Sequence, residues 1–141
     1  MNLDTSYFER CIATLSKAYS LLSSANPDNI EYDLYRSACI KEFEIILELS
    51  GNLLKKVLKP FYHSSKEVDK LHFKDIFRQA GAHDIINAEL IEHFLVYRDN
   101  RNSTAHDYGI NFAEETLILL PQFIQDTTCL AKIIQQQNND N

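Results

Sequence analysis

Residues 33–59 read DLYRSACIKEFEIILELSGNLLKKVLK. Apolar side chains recur in this stretch every three or four residues, which is the period of an amphipathic α-helix. They are Leu34, Ala38, Phe43, Ile46, Leu47, Leu53, Leu54, Val57 and Leu58. The lysines near the end suit the negative end of the helix dipole, and Pro60 stops the helix. The stretch therefore predicts one long helix, in which Gly51 marks a place for close packing by another helix.

The same period continues on both sides of this helix. Before it, the period predicts a helix from Tyr7 to Leu22, with a capping-box pattern at Ser6 and Glu9. After it, a short helix is predicted from Phe73 to Ala80, with Gly81 as C-cap, and then a helix capped by Asn87 that carries Leu90 to Tyr97. A last helix is predicted from Phe112 to Ile133, with a capping-box pattern at Asn111 and Glu114. Pro121 predicts a kink or break in the last helix. We expect Phe61 to Lys70 to form a loop and residues 135–141 to form a frayed polar tail.

Four long amphipathic helices and one short helix can enclose a single core. The sequence therefore predicts an all-α fold, an antiparallel up-and-down helical bundle. Only three Gly and three Pro are present, which disfavours the frequent turns of a β-sandwich or barrel. The length of 141 residues suits one domain spanning residues 1–141.

Charge and cysteine content narrow the function classes. The net charge of −6 disfavours a general nucleic-acid binder, so we expect no DNA partner, and any RNA contact must come from a local basic pocket. Cys11, Cys39 and Cys129 have no zinc-ligand spacing, so we interpret them as buried, reduced thiols and expect neither a metal nor another cofactor. No segment approaches ~18 consecutive apolar residues, so we expect a cytoplasmic protein without membrane contact.

The most informative motif is RNSTAHDY, residues 101–108. An Arg followed by His after four to six residues is expected about 0.5 times in a chain of this composition. Requiring Tyr two residues after the His lowers that expectation to roughly 0.01. Arg101, His106 and Tyr108 meet this requirement. Arg78 and His83 have the same gap but no Tyr, and we interpret them as part of a turn at the end of the short helix.

Arg101 and His106 together offer the minimum for metal-independent RNA cleavage. The guanidinium can hold a phosphate and stabilise charge on phosphorus, while the imidazole can exchange a proton with a ribose 2′-hydroxyl or a leaving oxygen. On a straight helix these two side chains would point ~140° apart. They converge only if the helix ends near His106 or if two chains combine their groups.

The polar residues around the motif allow two interpretations. Asn102, Ser103, Thr104 and Arg98 can orient catalytic groups, or they can be ordinary capping residues at a helix end. Their density directly after an apolar helix face favours the first. Glu44 and Glu48 share one face of the long helix and could pair with Arg98 or Arg101 as supporting residues. By pattern alone, a solvated face is equally expected. His63, His72 and His93 are interpreted as surface or helix-end residues.

At these residues the sequence resembles the HEPN superfamily, whose mark is an Arg followed by His after four to six residues. The form from Arg101 to Tyr108 is similar to the nucleotidyltransferase substrate-binding-protein-like family, the partner of a minimal nucleotidyltransferase. EFEIILEL, residues 42–49, resembles the family's segment rich in aromatic and acidic residues. The resemblance spans roughly Tyr7 to Ile134. It departs at residues 49–51, where relatives often carry an aromatic.

The resemblance implies a homodimeric bundle in which two motifs face each other. It implies that Arg101 and His106 cleave RNA, with tRNA as one candidate, and that a cognate nucleotidyltransferase adenylylates Tyr108 to inhibit cleavage. The chain would then be the toxin of a two-component toxin–antitoxin pair. The alternative is a non-catalytic subunit that binds substrate or nucleotide for the nucleotidyltransferase. An inert helical scaffold is a third reading. Net acidity favours the second reading, and the intact Arg–His–Tyr set favours the first.

Overall fold

The computed structural model describes the backbone of residues 2–104 and 110–139 and the side chains of residues 2–101 and 113–138. Within these ranges the chain is helical and forms no strand. The helices are α1 (Ser6–Ser24), α2 (Ile30–Leu58), α3 (Ser65–Asp69), α4 (Phe73–Ala82), α5 (Ala88–Thr104) and α6 (Ile110–Asn139), with a 3₁₀ turn at Lys59–Phe61. The predicted all-α fold class, with four long helices and the short α4, is confirmed.

Helix α2 is the centre of the bundle, and α1, α4, α5 and α6 all pack against it. Its buried side chains follow the stripe predicted from the sequence, and they join one continuous core with the other four helices. Leu34 is the exception, because 65% of its surface is exposed. It lies near the start of α2, beside the α1–α2 loop, where the helical period continues but no neighbouring helix covers it.

Helix α3 lies in the segment that the sequence predicted to be a loop. Its N-cap is Ser64, whose Oγ accepts a hydrogen bond from the Glu67 backbone N–H at 3.4 Å. Val68 is fully buried. A capping residue followed by a single apolar anchor is thus enough to form one helical turn in an otherwise polar segment.

The predicted helix ends differ in detail from those observed. Asn87 caps α5 as predicted, because its Oδ1 accepts from the Leu90 N–H at 2.8 Å. The N-cap of α1 is Thr5 rather than Ser6. Gly81 is not the C-cap of α4, since the helix continues to Ala82. Asp84 instead takes the left-handed conformation, with φ at 58°, which Asp tolerates better than most residues.

Helix α6 differs from the sequence analysis in two respects. It is one helix from Ile110 to Asn139, so Pro121 does not break it. Pro121 is exposed, so its ring is not in the core, and the buried side of the helix holds it against its neighbours. The polar residues expected to fray are helical as far as Asn139. Gln135 Nε2 donates to Glu9 Oε1 at 2.9 Å, and Asn138 Oδ1 accepts from the Leu3 N–H at 2.9 Å.

The hydropathy of α6 also differs from the sequence analysis. The segment Ala113–Asn138 of α6 is long and apolar enough to cross a membrane, although the buried helix of a soluble core passes the same criterion. Its fully buried residues include Phe123 and Leu130, which face the bundle.

Two of the three cysteines agree with the sequence analysis. Cys11 and Cys39 are buried as expected, but Cys129 is exposed. Burial raises the pKa of the Cys39 thiol to about 11.

Gly51 lets the Phe73 ring at the start of α4 pack directly against α2. A Cβ at this position would lie 2.9 Å from Cδ2 of the Phe73 ring. We expect Gly51→Ala to lower the free energy of unfolding by about 1 kcal/mol, because overpacking of the ring outweighs the gain in helix propensity. Urea denaturation measures this, with Asn52→Ala, the exposed neighbour on the same helix, as a control expected to be neutral or slightly stabilising. A more stable Gly51→Ala protein would contradict the close packing.

Candidate functional site

Two ion pairs connect the last turns of α5 to the middle of α2. Arg101 Nε lies 3.8 Å from Glu44 Oε1, and Arg98 Nη1 lies 3.4 Å from Glu48 Oε2. The two arginines are three residues apart and the two glutamates four, so each pair occupies one face of its helix. The pairing suggested from the sequence is therefore present. Glu48 is still 65% exposed, so this face is also solvated.

The ion pairs orient the guanidinium groups more than they stabilise the fold. Partly exposed pairs at these distances contribute about 0–1 kcal/mol, because solvent screens them. Arg98 has a second support, since its guanidinium carbon lies 4.9 Å above the centroid of the Phe73 ring. A phosphate can compete with an exposed carboxylate for such a guanidinium. The site thus presents two oriented cations beside each other at the end of α5.

The remaining motif residues fall outside the described parts of the chain. His106 and Tyr108 lie between the described ends of α5 and α6. The side chains of Asn102, Ser103 and Thr104 are likewise outside the described residues, although their backbone continues α5. Of the residues predicted for the site, the structure therefore brings together Arg98, Arg101, Glu44 and Glu48.

The competing Arg–His pair has a structural role. Arg78 Nη1 lies 3.7 Å from Asp75 Oδ1 on the same helix. His83 follows the end of α4 and stacks on Phe61, with ring centroids 4.2 Å apart. The two side chains have different partners. The interpretation as part of a turn holds for His83, whereas Arg78 lies inside α4. Among the described residues, no group of three His, Cys, Asp or Glu side chains could hold a metal ion.

A partly buried polar cluster between α5 and α6, centred on the buried Asp126 and Tyr97, was missed in the sequence. Asp126 Oδ2 accepts from the Tyr97 hydroxyl and lies 2.9 Å from His93 Nδ1, while Gln122 Nε2 donates to Asp126 Oδ1 at 2.9 Å. His93 is thus half-buried and paired with Asp126, whereas the sequence analysis interpreted it as a surface or helix-end residue. Burial and the bond to Asp126 raise the pKa of Tyr97, so its hydroxyl stays a donor.

This cluster fixes the helix that carries the candidate site. His93 lies about two turns before Arg101 on α5, and Tyr97 lies about one turn before it. Through Asp126 they attach α5 to α6, while Arg98 and Arg101 attach it to α2. The only sequence signal was a helical spacing of four residues, from His93 to Tyr97 and from Gln122 to Asp126.

Comparison with known proteins gives consistent results. The family described as nucleotidyltransferase substrate binding protein like matches residues 3–136. A probable ribonuclease HepT from Haemophilus influenzae is 27% identical over 110 residues, which cover 78% of this chain and 74% of that protein.

A solved structure from the same organism is described as the fold of a substrate binding domain of a nucleotidyltransferase. It superposes with a TM-score of 0.80 and 23% identity, over 94% of this chain and 99% of that one. The family match covers nearly the whole chain, including the α2 segment and the motif on which the resemblance was based. The chain therefore belongs to the nucleotidyltransferase substrate binding protein like family.

Proposed function

We propose that this protein is a metal-independent endoribonuclease of the HEPN type, the toxin of a two-component pair, acting in the cytoplasm as a homodimer. The observation that carries the proposal is the placement of Arg101. Glu44 and the last turn of α5 hold its guanidinium, and His106 follows five residues later in the sequence. A relative of this chain is named a probable ribonuclease, which supports the same activity.

The proposed reaction uses one proton-transfer group and one charge-stabilising group. His106 accepts the proton of a ribose 2′-hydroxyl, and the oxygen forms a bond to the adjacent phosphorus. The bond from phosphorus to the 5′-oxygen breaks, and that oxygen takes a proton as it leaves. The products are a 2′,3′-cyclic phosphate and a 5′-hydroxyl. Arg101 stabilises the negative charge on the phosphoryl oxygens in the transition state. In the proposed dimer, a protonated His106 from the second subunit gives the leaving oxygen its proton.

Control of this activity is proposed to act at Tyr108. The hydroxyl of Tyr108 attacks the α-phosphorus of ATP bound by a cognate nucleotidyltransferase, and pyrophosphate leaves. The resulting AMP adds bulk and negative charge two residues from His106. Because the substrate is itself a polyanion, the added charge opposes its binding.

A second candidate function is a non-catalytic subunit that binds substrate for a nucleotidyltransferase. The description of the structural relative favours it, as does the net charge of −6, since an acidic protein repels bulk RNA. In this reading the Arg101 site holds a nucleotide or an acceptor group, and no bond in RNA is cleaved.

One set of measurements separates the two functions. The purified protein is incubated with tRNA in EDTA beside His106→Ala, with His63→Ala at an exposed histidine as the matched control. We expect cleavage by the wild type and by His63→Ala, and loss of at least about 100-fold in His106→Ala. Intact mass after mixing with the adjacent nucleotidyltransferase and ATP should show added AMP, absent in Tyr108→Phe.

Other results would reject the nuclease. If the wild type leaves RNA intact but forms a stable complex with the nucleotidyltransferase, the second function replaces the first. If His106→Ala cleaves as fast as the wild type, the activity belongs to a contaminant or to another site. AMP addition that survives Tyr108→Phe would remove that residue as the target.

A further inference from the structure

A groove beside the candidate site, between α4 and α5, is lined by three positively charged side chains. It has a volume of about 420 Å³ and is lined by His72, Phe73, Lys74, Asp75, Arg78 and Arg98. We call these six residues the α4 groove. Three of them are cations in a chain of net charge −6. An acidic protein that contacts RNA requires such a local basic pocket, because its overall field repels phosphate.

The three cations come from two helices and face one space. Lys74 and Arg78 are four residues apart on α4, so they lie on the same face one turn apart. Arg98 approaches from α5, and its guanidinium carbon lies 4.9 Å from the centroid of the Phe73 ring. Gly51 allows that ring to lie close to α2. The packing of α2, α4 and α5 therefore fixes the position of Arg98.

The carboxylates around the groove are placed where phosphate can replace them. Glu48, Asp75 and Asp99 pair with the three cations. The side chains of Glu48 and Asp99 are 65% and 62% exposed, against 29% and 35% for their cation partners. In the third pair the order is reversed, since Arg78 is 57% exposed and Asp75 45%. An exposed ion pair contributes little free energy, so Glu48 and Asp99 can turn into solvent while Arg98 and Lys74 stay in the groove.

The backbone adds to the same potential. The groove includes the N-terminus of α4, where His72 is the N-cap and its side chain makes no capping hydrogen bond. The first turn of a helix presents backbone N–H groups and a partial positive charge. Lys74 and Arg98 flank this end. Side-chain and backbone charges thus act on one volume.

We propose that the α4 groove binds the sugar–phosphate backbone of single-stranded RNA beside the bond that is cleaved. This inference rests on the proposed ribonuclease function, because it assigns the groove to the same substrate. Arg98 precedes Arg101 by three residues, about 4.5 Å along the helix axis, so one strand can contact both. The exposed guanidinium of Arg78 offers a plane on which an unpaired base stacks.

The test measures binding without cleavage. Every protein carries His106→Ala, and a fluorescein-labelled 12-nucleotide oligouridylate is titrated in EDTA while its anisotropy is followed. We expect Arg78→Ala and Lys74→Ala each to weaken binding about 5- to 10-fold and to reduce the slope of log K against log salt by about 0.7. Asp75→Asn removes a competing carboxylate and should strengthen binding.

Lys17→Ala is the matched control, because it removes one exposed cation from α1, a helix that packs on α2 and α6. It should leave affinity within about twofold of its parent. Thermal melts of the exposed-site variants Arg78→Ala and Lys17→Ala check that each remains folded. Equal affinity for RNA in Arg78→Ala, Lys74→Ala and the control would overturn the groove.

Two further outcomes distinguish this inference from the ribonuclease proposal. If RNA binding depends on Arg78 and Lys74 but wild-type protein does not cleave RNA, RNA binding in the α4 groove is supported and the ribonuclease proposal is rejected. If wild-type protein cleaves RNA and the groove variants bind like their parent, the ribonuclease proposal is supported and RNA binding in the α4 groove is rejected. Displacement of the RNA by polyglutamate at equal charge concentration would overturn RNA as the ligand and indicate an acidic protein partner.

Discussion

Arg101→Ala is expected to lower the rate of RNA cleavage by at least about 100-fold, because it removes the only charge that the proposed mechanism places on the phosphoryl oxygens. The fold should change little. The ion pair with Glu44 spans 3.8 Å, and both side chains are more than one-third exposed, so its loss costs no more than about 1 kcal/mol. Single-turnover cleavage in EDTA and a thermal melt measure the two effects separately.

The controls for this experiment separate the shape of the guanidinium, the loss of a positive charge elsewhere and the positioning of Arg101. Arg101→Lys keeps a positive charge but loses the planar fork, so we expect a partial recovery at most. Arg10→Ala removes an exposed arginine from α1 and should cleave like the wild type. Glu44→Gln tests positioning, since it leaves Arg101 charged and removes its ionic partner. A smaller rate loss is expected there. If Arg101→Ala cleaves RNA at the wild-type rate, Arg101 is not a catalytic residue.

Much of the fold could be predicted because helical periodicity is a local signal. The stripe of α2 and the Asn87 cap of α5 depend on residues within two turns of one another, and both were identified. The polar end of α6 was not. Its helicity depends on Gln135 and Asn138 meeting Thr5, Glu9 and Leu3 at the opposite end of the chain. A sequence window near the C-terminus contains none of these partners.

The candidate site, too, could be predicted from the sequence only in part. Arg98, Arg101, Glu44 and Glu48 could be linked from the sequence, because each pair lies on one helix face and opposite charges attract across neighbouring helices. The partnership of His93 with Asp126 could not be foreseen. These residues are 33 positions apart, and an isolated His or Asp at helical spacing is compatible with solvent exposure. Only the packing of α5 on α6 makes Asp126 a buried acceptor.

Asp126→Ala is expected to cause the largest loss of stability that we predict outside the apolar core. Asp126 is 6% exposed and receives the Tyr97 hydroxyl and the Gln122 amide, with His93 at 2.9 Å. Removing the carboxylate leaves the buried Tyr97 hydroxyl without an acceptor and removes the contacts that His93 and Gln122 make across the two helices. We expect the free energy of unfolding to fall by about 3 kcal/mol and the melting temperature by roughly 6–12 °C. Urea and thermal denaturation measure the two quantities.

A double-mutant cycle assigns the loss to the cluster and not to a general effect of charge. Tyr97→Phe alone removes one donor and should cost about 1 kcal/mol. In the double variant Tyr97→Phe with Asp126→Ala, the costs should be less than additive by at least about 0.5 kcal/mol, since the phenyl ring needs no acceptor. Glu115→Ala, at an exposed acid on α6, should change stability by less than about 0.5 kcal/mol.

The same variant connects the cluster to the candidate site. Tyr97 lies one turn before Arg101 on α5, so loosening its attachment to α6 also releases the helix end that holds the guanidinium. We therefore expect Asp126→Ala, assayed well below its melting temperature, to lose cleavage rate more than Glu115→Ala does. An Asp126→Ala protein that unfolds like the wild type and cleaves like it would show that α5 is fixed by its apolar face alone.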